Sequence, residues 1–453
     1  MFTSGSCTNP NPTSSSSQNR TRALLQCELP LPLPVILCLQ GSGQLDFTDP
    51  AATMQLTKTL LEVDFGLRLD LPDDRLCPPV PNRHNYILWL KDLMDTTSYE
   101  PAGRKLCGLD IGTGASCIYP LLGTAQRPWS FLATDIDEKS LEYARTNVKL
   151  NQLEAWIRLL KRKPDDPLVP LLDDEDDDNV HSIDFVMMNP PFYSSEEDML
   201  SSAQKKARPP LSACTGAPVE MVCEGGEVAH VGRLLRESLA LRDRDRIRWY
   251  TSMLGKVTSL DALVEQLRGH GIDNYAVTEF VQGNKTRRWA LGWSFGPMRP
   301  AEHVARGMKA GFWKKVLPPA VSTELLVVSP AEPVDPVIGR IKEVVGALEL
   351  MSWTWEPEAA RGVGRTRENV WSRAWRRKKM KREHQSEGQN EVGTETAASE
   401  LEACQLGFEI AVVVRKSETL VSLHWREGHD AHIFDSLAGF LQGKLKELLN
   451  TGH

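Results

Sequence analysis

No C-x-x-C pair and no His/Cys cluster at metal spacing occurs anywhere in this sequence, and its nine cysteines are an odd number scattered along the chain. That excludes a disulfide framework and a zinc site, and it fits a reducing compartment. Unbroken apolar runs are missing too. The one candidate, Ala23 to Gln40 behind Arg20 and Arg22, is interrupted by Glu28, Pro30, Pro32 and Pro34, whereas a spanning helix or an export signal needs continuity. Nor does one sign of charge dominate. With 53 Lys plus Arg against 60 Asp plus Glu the net charge is −7, so any nucleic-acid surface has to be local. No tandem repeat is present. What remains is a chain of 453 residues, 41% hydrophobic and 25% charged, which is an ordinary globular composition with room for two or three domains.

Residues 1–42 are low in complexity, Ser14 to Ser17 most clearly, and are expected to be disordered. From Asp49 and Pro50, a cap and first-turn pair, the positions of Met54, Leu56, Leu60, Leu61 and Phe65 predict a helix. A second helix carries Tyr86, Leu88, Trp89 and Leu93. Strand and helix signals then alternate: strands at Lys105 to Asp110, Ser130 to Asp135, Ile157 to Leu160 and Phe185 to Met188, with helices from Tyr119 and over Lys139 to Asn151. Such alternation predicts a Rossmann-like, doubly wound α/β domain. A helix at Gly226 to Leu241, a strand at Arg248 to Leu254, a helix at Leu260 to His270 and a hairpin at Tyr275 to Gln282 and Arg288 to Phe295 complete it, giving a domain of residues 43–298. Residues 299–453 are expected to form a small α+β module with strands at Thr323 to Val328, Phe408 to Val414 and Thr419 to Trp425, helices at Val337 to Leu350 and Ile433 to Leu449, and a basic flexible linker at about 352–406.

Three motifs carry chemistry. Asp110-Ile111-Gly112-Thr113-Gly114-Ala115-Ser116 lies where a buried strand turns into a helix. Glycines there let a ligand approach the backbone, and the helix start offers free N–H groups. The next strand ends in Asp135, followed by Asp137. An acid at that place reaches the ribose of a bound nucleoside, or else simply caps the following helix. The third motif is a hydrophobic strand running into Asn189-Pro190-Pro191-Phe192. Adjacent prolines fix the backbone so that the Asn side chain and the neighbouring carbonyl can each accept a hydrogen from a planar exocyclic amine. Phe192 supplies a face for stacking. That set suits methyl transfer to the amino group of adenine, cytosine or a carboxamide.

These residues resemble the S-adenosylmethionine-dependent methyltransferases of the Asn-Pro-Pro-Phe type. With Asp46 to Pro50, Val63 to Leu67, Pro81 to Tyr86, Gly112 to Gly123, Glu224 to Glu227 and Arg288 to Phe295, residues 43–295 resemble the methyltransferase-like protein sixteen family. The tail resembles that family's RNA-binding extension more loosely, at Trp371 to Arg382 and Val421 to Gly428. The resemblance implies N6-adenosine methylation of structured RNA, U6 small nuclear RNA in particular, with S-adenosyl-L-methionine as cofactor and no metal. It implies that Arg83 pairs with the methionine carboxylate, that Gly112 and Ser116 approach the amino-acid portion, that Asp110 and Gly114 also belong to the cofactor site, that Asp135 meets the ribose, and that Asn189 serves both the methyl-bearing end and the target amine. A loop beside the cofactor site would be Lys161 to Asp166.

Candidate phosphate contacts are Lys161, Arg162 and Lys163; Lys205, Lys206 and Arg208; Lys256; Lys285, Arg287 and Arg288; and Arg376, Arg377, Lys378 and Lys379 in the tract Arg373 to Arg382. That tract reads equally as a nuclear import signal. The acidic run Asp173 to Asp178 reads as a solvated insertion rather than a metal site. The expectation is a monomer in the nucleus, with the cytoplasm as a second location, that binds structured RNA through an unpaired adenosine and does not bind membranes. A protein glutamine methyltransferase and a non-catalytic RNA-binding regulator with the same fold are the competing readings.

Overall fold

The computed structural model describes residues 45–170, 183–204, 216–242, 247–282, 286–308, 314–386 and 404–450. They fall into two compact units, one drawn from residues 1–88, 103–263 and 280–290 and the other from 89–102, 264–279 and 291–453. The units interleave along the chain, where the sequence suggested a single border at 298/299. Periodicity marks an element, but not the core against which each half of it packs.

In the first unit the helix Pro50–Phe65 is stopped at both ends by local chemistry. The Asp49 side chain accepts the Ala51 N–H, and Gly66 closes the helix in the left-handed conformation. The helix Val80–Thr96 follows. The strands of this unit are β1 (Leu106–Ile111), β2 (Trp129–Asp135), β3 (Ile157–Lys161), β4 (Phe185–Met188) and β5 (Trp249–Leu254), in the sheet order β3-β2-β1-β4-β5, whereas β6 (Tyr275–Gln282) and β7 (Thr286–Trp293) are divided between the two units and β8 (Arg306–Gly307) belongs to the second. β1 pairs in parallel with β2 on one side and β4 on the other. Strand order therefore reverses between β1 and β4, which opens a crevice at their carboxyl ends. The register aligns Asp110 with Met187 and with Ala133. Asn189 and Asp135 thus emerge two positions beyond Asp110's neighbours, at the same edge.

Gly108 explains how the middle of this sheet packs. A side chain there would come within 2.6 Å of both Phe131 and Phe185. Its absence lets those two rings meet edge to face at 5.9 Å, with Trp129 lying 4.9 Å from Phe185.

In the second unit β9 (Ser322–Val328), β10 (Ser352–Glu356), β11 (Arg361–Thr366), β12 (Leu406–Val414) and β13 (Thr419–Glu427) form an antiparallel sheet ordered β10-β11-β12-β13-β9. The helices Val334–Gly346 and Ala431–Asn450 bury Ile341, Val345, Leu437 and Leu441 against it. Trp425 anchors the module, stacked on Phe434 at 5.6 Å with the Arg299 guanidinium 4.1 Å from its ring centre.

The linker expected at about 352–406 is corrected here. Residues 352–386 are folded as β10, β11 and the helix Arg373–Ser386, while 387–403 lie outside the described residues. Two glycines on β11 hid the strand. A side chain at Gly362 would come within 2.2 Å of Trp353, and one at Gly364 within 2.4 Å of Phe408. The aromatic neighbours fill the places where β11's own hydrophobic residues would have shown an alternating pattern.

Candidate active site

After β1 the chain turns through Gly112 and Gly114, both at positive φ (+72° and +65°), where a side chain would strain the backbone. Among the described residues, no atom beyond its chain neighbours lies within 4 Å of where a Gly112 side chain would start. The N–H groups of Gly112 and Thr113 donate to the Thr134 carbonyl at 2.9 and 3.0 Å. The Gly114 N–H donates to Asp135 Oδ2 at 2.8 Å, and Asp135 Oδ1 accepts the Asp137 N–H at 2.9 Å. Of the two roles read for these acids, ribose contact or helix cap, the cap falls to Asp137. Asp137 caps the helix Glu138–Leu150 by accepting from Ser140 N–H, while Asp135 fastens the glycine turn. Burial raises the Asp135 carboxyl, and the N–H groups it accepts from pull it partly back.

Asp110 is fully buried, and among the described residues neither carboxyl oxygen has a hydrogen-bond partner. Burial pushes its carboxyl up to about 7, Asp135 adds to the push, and Arg83 opposes it. Arg83, from the helix Val80–Thr96, is only 6% exposed. Its Nη1 lies 3.3 Å from the Met253 sulfur and its guanidinium 5.5 Å from the Tyr119 ring centre, with no ion pair to a carboxylate among the described residues. A buried guanidinium without a counter-ion is a receptor for an anionic group. The neighbouring Thr113 hydroxyl is likewise buried without a partner, and Ser116 is buried. Unpaired acceptors, an unpaired cation and an open glycine turn fit a zwitterionic nucleoside cofactor.

On the other side of the crevice, Asn189 Oδ1 is buried and has no hydrogen-bond partner among the described residues. Asn189, Pro190, Pro191 and Phe192 follow β4 directly. Their loop is held by the segment before the helix Gly226–Ala240: Tyr193 N–H donates to the Met221 carbonyl at 3.1 Å, Cys223 N–H donates to the Tyr193 carbonyl at 3.0 Å, and Cys223 Sγ lies 3.7 Å from the Pro191 carbonyl oxygen. Gly226, at φ +63°, lets this segment come close to Phe192 and Ser194. The Arg288 guanidinium lies over the Phe192 ring at 5.3 Å. Glu227, 2% exposed, accepts the Gly255 and Lys256 N–H groups at 2.6 and 3.0 Å. The sequence reading used Glu224 to Glu227 only as part of a resemblance and assigned Glu227 no task. Two adjacent glycines before an acid were the available signal.

The candidate cofactor residues thus gather at one sheet edge, whereas the basic candidates differ among themselves. Lys256 lies beside the loop that follows β4, 5.6 Å from the Tyr193 ring centre, and pairs with Asp198 at 3.3 Å. Lys161 pairs with Glu138 at 2.7 Å. Arg162 lies 3.6 Å from Asp166 and donates to the Pro167 carbonyl. Asp166 also accepts the Lys163 N–H, so this acid shapes the loop. Arg287 is exposed. On the helix Arg373–Ser386, Arg376 and Arg377 are exposed, Lys378 is exposed and pairs with Glu368 at 3.7 Å, and Lys379 is ion-paired with Glu349. Lys205, Lys206, Arg208, Lys285 and the run Asp173 to Asp178 lie outside the described residues.

Residues 17–297 match the model of a family described as an RNA methyltransferase. The U6 small nuclear RNA (adenine-(43)-N(6))-methyltransferase of Schizosaccharomyces pombe is 34% identical over 406 residues, covering 90% of this chain and 96% of that protein. The RNA N(6)-adenosine-methyltransferase mettl16 of Xenopus laevis is 44% identical over 259 residues, 57% of this chain, and the chain spans only 46% of that protein's length. Among solved structures, the hMettl16 catalytic domain in complex with MAT2A 3'UTR hairpin 6 is 40% identical, covers 63% of this chain and 93% of that one, and has a TM-score of 0.49.

Proposed function

The chain belongs to this RNA methyltransferase family, and from that premise we propose that it methylates N6 of an unpaired adenosine in a structured RNA, with U6 small nuclear RNA as substrate and S-adenosyl-L-methionine as methyl donor. One observation carries the reading: the unpartnered Asn189 Oδ1 beside Phe192, across the crevice from Arg83 and Asp110. Arg83 would hold the donor's carboxylate and Asp110 its ammonium, while the Gly112 to Gly114 turn admits its backbone-facing side. When bound, the donor supplies the methyl group and leaves as the thioether. Asn189 would accept a hydrogen from the adenine amine, drawing its lone pair out of conjugation, and Phe192 would stack the base. The proton released from N6 passes to water.

Labelled S-adenosylmethionine incubated with total RNA and, separately, with total protein tests this directly. Label in RNA is expected. Label in protein alone would favour a glutamine methyltransferase, and none in either pool a non-catalytic regulator.

Alignment with the fission yeast relative reaches over 90% of this chain, which supports counting the C-terminal unit within the same RNA-binding machine. The tract Arg373 to Arg382 has seven basic residues in ten, and this density also supports a nuclear location. On a helix with exposed Arg376, Arg377 and Lys378 it offers phosphate attraction without base readout. Replacing the seven by Gln should weaken binding about equally for a structured hairpin and its scrambled counterpart and flatten the salt dependence. Equal salt slopes before and after replacement would leave the tract a role in import alone.

A further inference from the structure

The buried carboxylate at the start of the helix Gly226–Ala240 has no part in the chemistry above. Burying a carboxylate is costly unless its charge is matched by donors, and Glu227 has two consecutive backbone donors, Gly255 N–H and Lys256 N–H, at 2.6 and 3.0 Å. These amides lead into the helix Val257–Gly269, where unpaired N–H groups and the helix dipole favour negative charge. The acid comes from a different element, and the Ser259 hydroxyl in the helix's first turn also favours its charge.

Gly255 links this carboxylate to the reaction. It does not adopt a positive φ, so backbone freedom is not what calls for glycine there. Space is. A side chain at 255 would lie 3.1 Å from Cγ and Cδ1 of Phe192 and 3.4 Å from Glu227 Oε2. The same few atoms of Gly255 thus face both the aromatic ring and the acid.

Resting on the function proposed above, we infer that Glu227 is a positioning residue for the Phe192 ring: by binding the Gly255 and Lys256 N–H groups it fixes the backbone surface against which the base-stacking aromatic is set. A stacking platform has to be held to within a fraction of an ångström, and a misplacement of about 1 Å from a change outside the reacting groups can cost on the order of 100-fold.

Three variants test it against a purely structural cap. Glu227→Gln keeps one acceptor oxygen, Glu227→Ala keeps none, and Gly255→Ala leaves the carboxylate in place but presses a methyl group on the ring. Single-turnover methylation of a hairpin RNA at saturation should fall about tenfold in Glu227→Gln and on the order of 100-fold in Glu227→Ala and Gly255→Ala. Cofactor affinity in calorimetry should stay within about two-fold in all three, because the ring and not the cofactor pocket is displaced. With 2-aminopurine at the target position, quenching on RNA binding should shrink in the same order. Wild-type rates in both Glu227→Gln and Gly255→Ala would overturn the inference. So would cofactor affinity falling in step with rate, which marks a general structural cap. If Glu227→Ala fails to fold, Glu227→Gln decides, with Gly255→Ala as the check that displacing the ring lowers the rate: a wild-type rate in Glu227→Gln then overturns the inference. Absence of RNA methylation by the wild-type protein would instead refute the underlying function.

Discussion

Asn189→Ala is expected to lower single-turnover RNA methylation by about 100-fold or more while leaving cofactor affinity within a few-fold. The argument starts from what the amide does without substrate. Its Oδ1 is buried and accepts no hydrogen bond, a cost the fold would not carry for stability alone. An exocyclic amine entering the crevice satisfies that oxygen, and the gain grows as the amine pyramidalises, because an N–H on a nitrogen acquiring positive charge is the better donor. The interaction is therefore stronger in the transition state than in the ground state, so its loss appears in the chemical step. Alanine removes the orphaned acceptor together with its partner site, and for that reason thermal stability should hold or rise slightly. Unchanged single-turnover rates would remove Asn189 from the reaction; a matching loss of cofactor affinity would place it in the cofactor pocket.

The crevice was legible in the sequence because its parts are local. A strand running into Asp110-Ile111-Gly112-Thr113-Gly114, or into Asn189-Pro190-Pro191-Phe192, carries its own stop signal, and the alternation of strand and helix orders these stops along one sheet edge. Phe185 to Met188 emerged with the bounds read for it. What was not legible depends on partners distant in sequence. Glu227 meets Gly255 across 28 positions through backbone N–H groups, and an acid that binds amides leaves no complementary residue to find. The Gly362 and Gly364 strand failed as a pattern since its packing volume belongs to Trp353 and Phe408. Basic loops posed the converse problem. Lys161 and Arg162 looked like free phosphate ligands until Glu138 and Asp166 were seen to pair with them, and neither acid is marked in the sequence as a partner rather than a cap or a turn residue.

Arg83→Ala should weaken S-adenosylmethionine binding by roughly 30-fold or more, the scale seen when one member of a buried, hydrogen-bonded charge pair is truncated. It should also move the pH dependence of that binding, which a loss of packing alone would not do. Burial pushes Asp110 up to about 7 against the pull of Arg83. An ammonium held beside it requires the ionised carboxylate, so wild-type affinity should climb as pH rises through about 7 and then level off. Removing Arg83 removes a cation that favours ionisation, so Asp110 titrates at higher pH and the climb moves to the alkaline side. Asp110→Asn has nothing to titrate and should give a flat, weaker profile. The ligand-free protein supplies the sign check. A carboxyl raised from 3.8 to about 7 binds its proton more tightly when folded, so stability is greatest below 3.8 as far as this group is concerned, falls between 3.8 and about 7, and is level above. Asp110→Asn should remove that decline from the thermal midpoint. Calorimetric titrations of the three proteins from about pH 5.5 to about 8.5, paired with melting curves at the same pH values, read both effects. A wild-type affinity that does not vary over this range would mean that Asp110 does not face the cationic end of the cofactor. An Arg83→Ala profile displaced downward without any shift along the pH axis would mean that Arg83 acts on the cofactor without touching Asp110's ionisation.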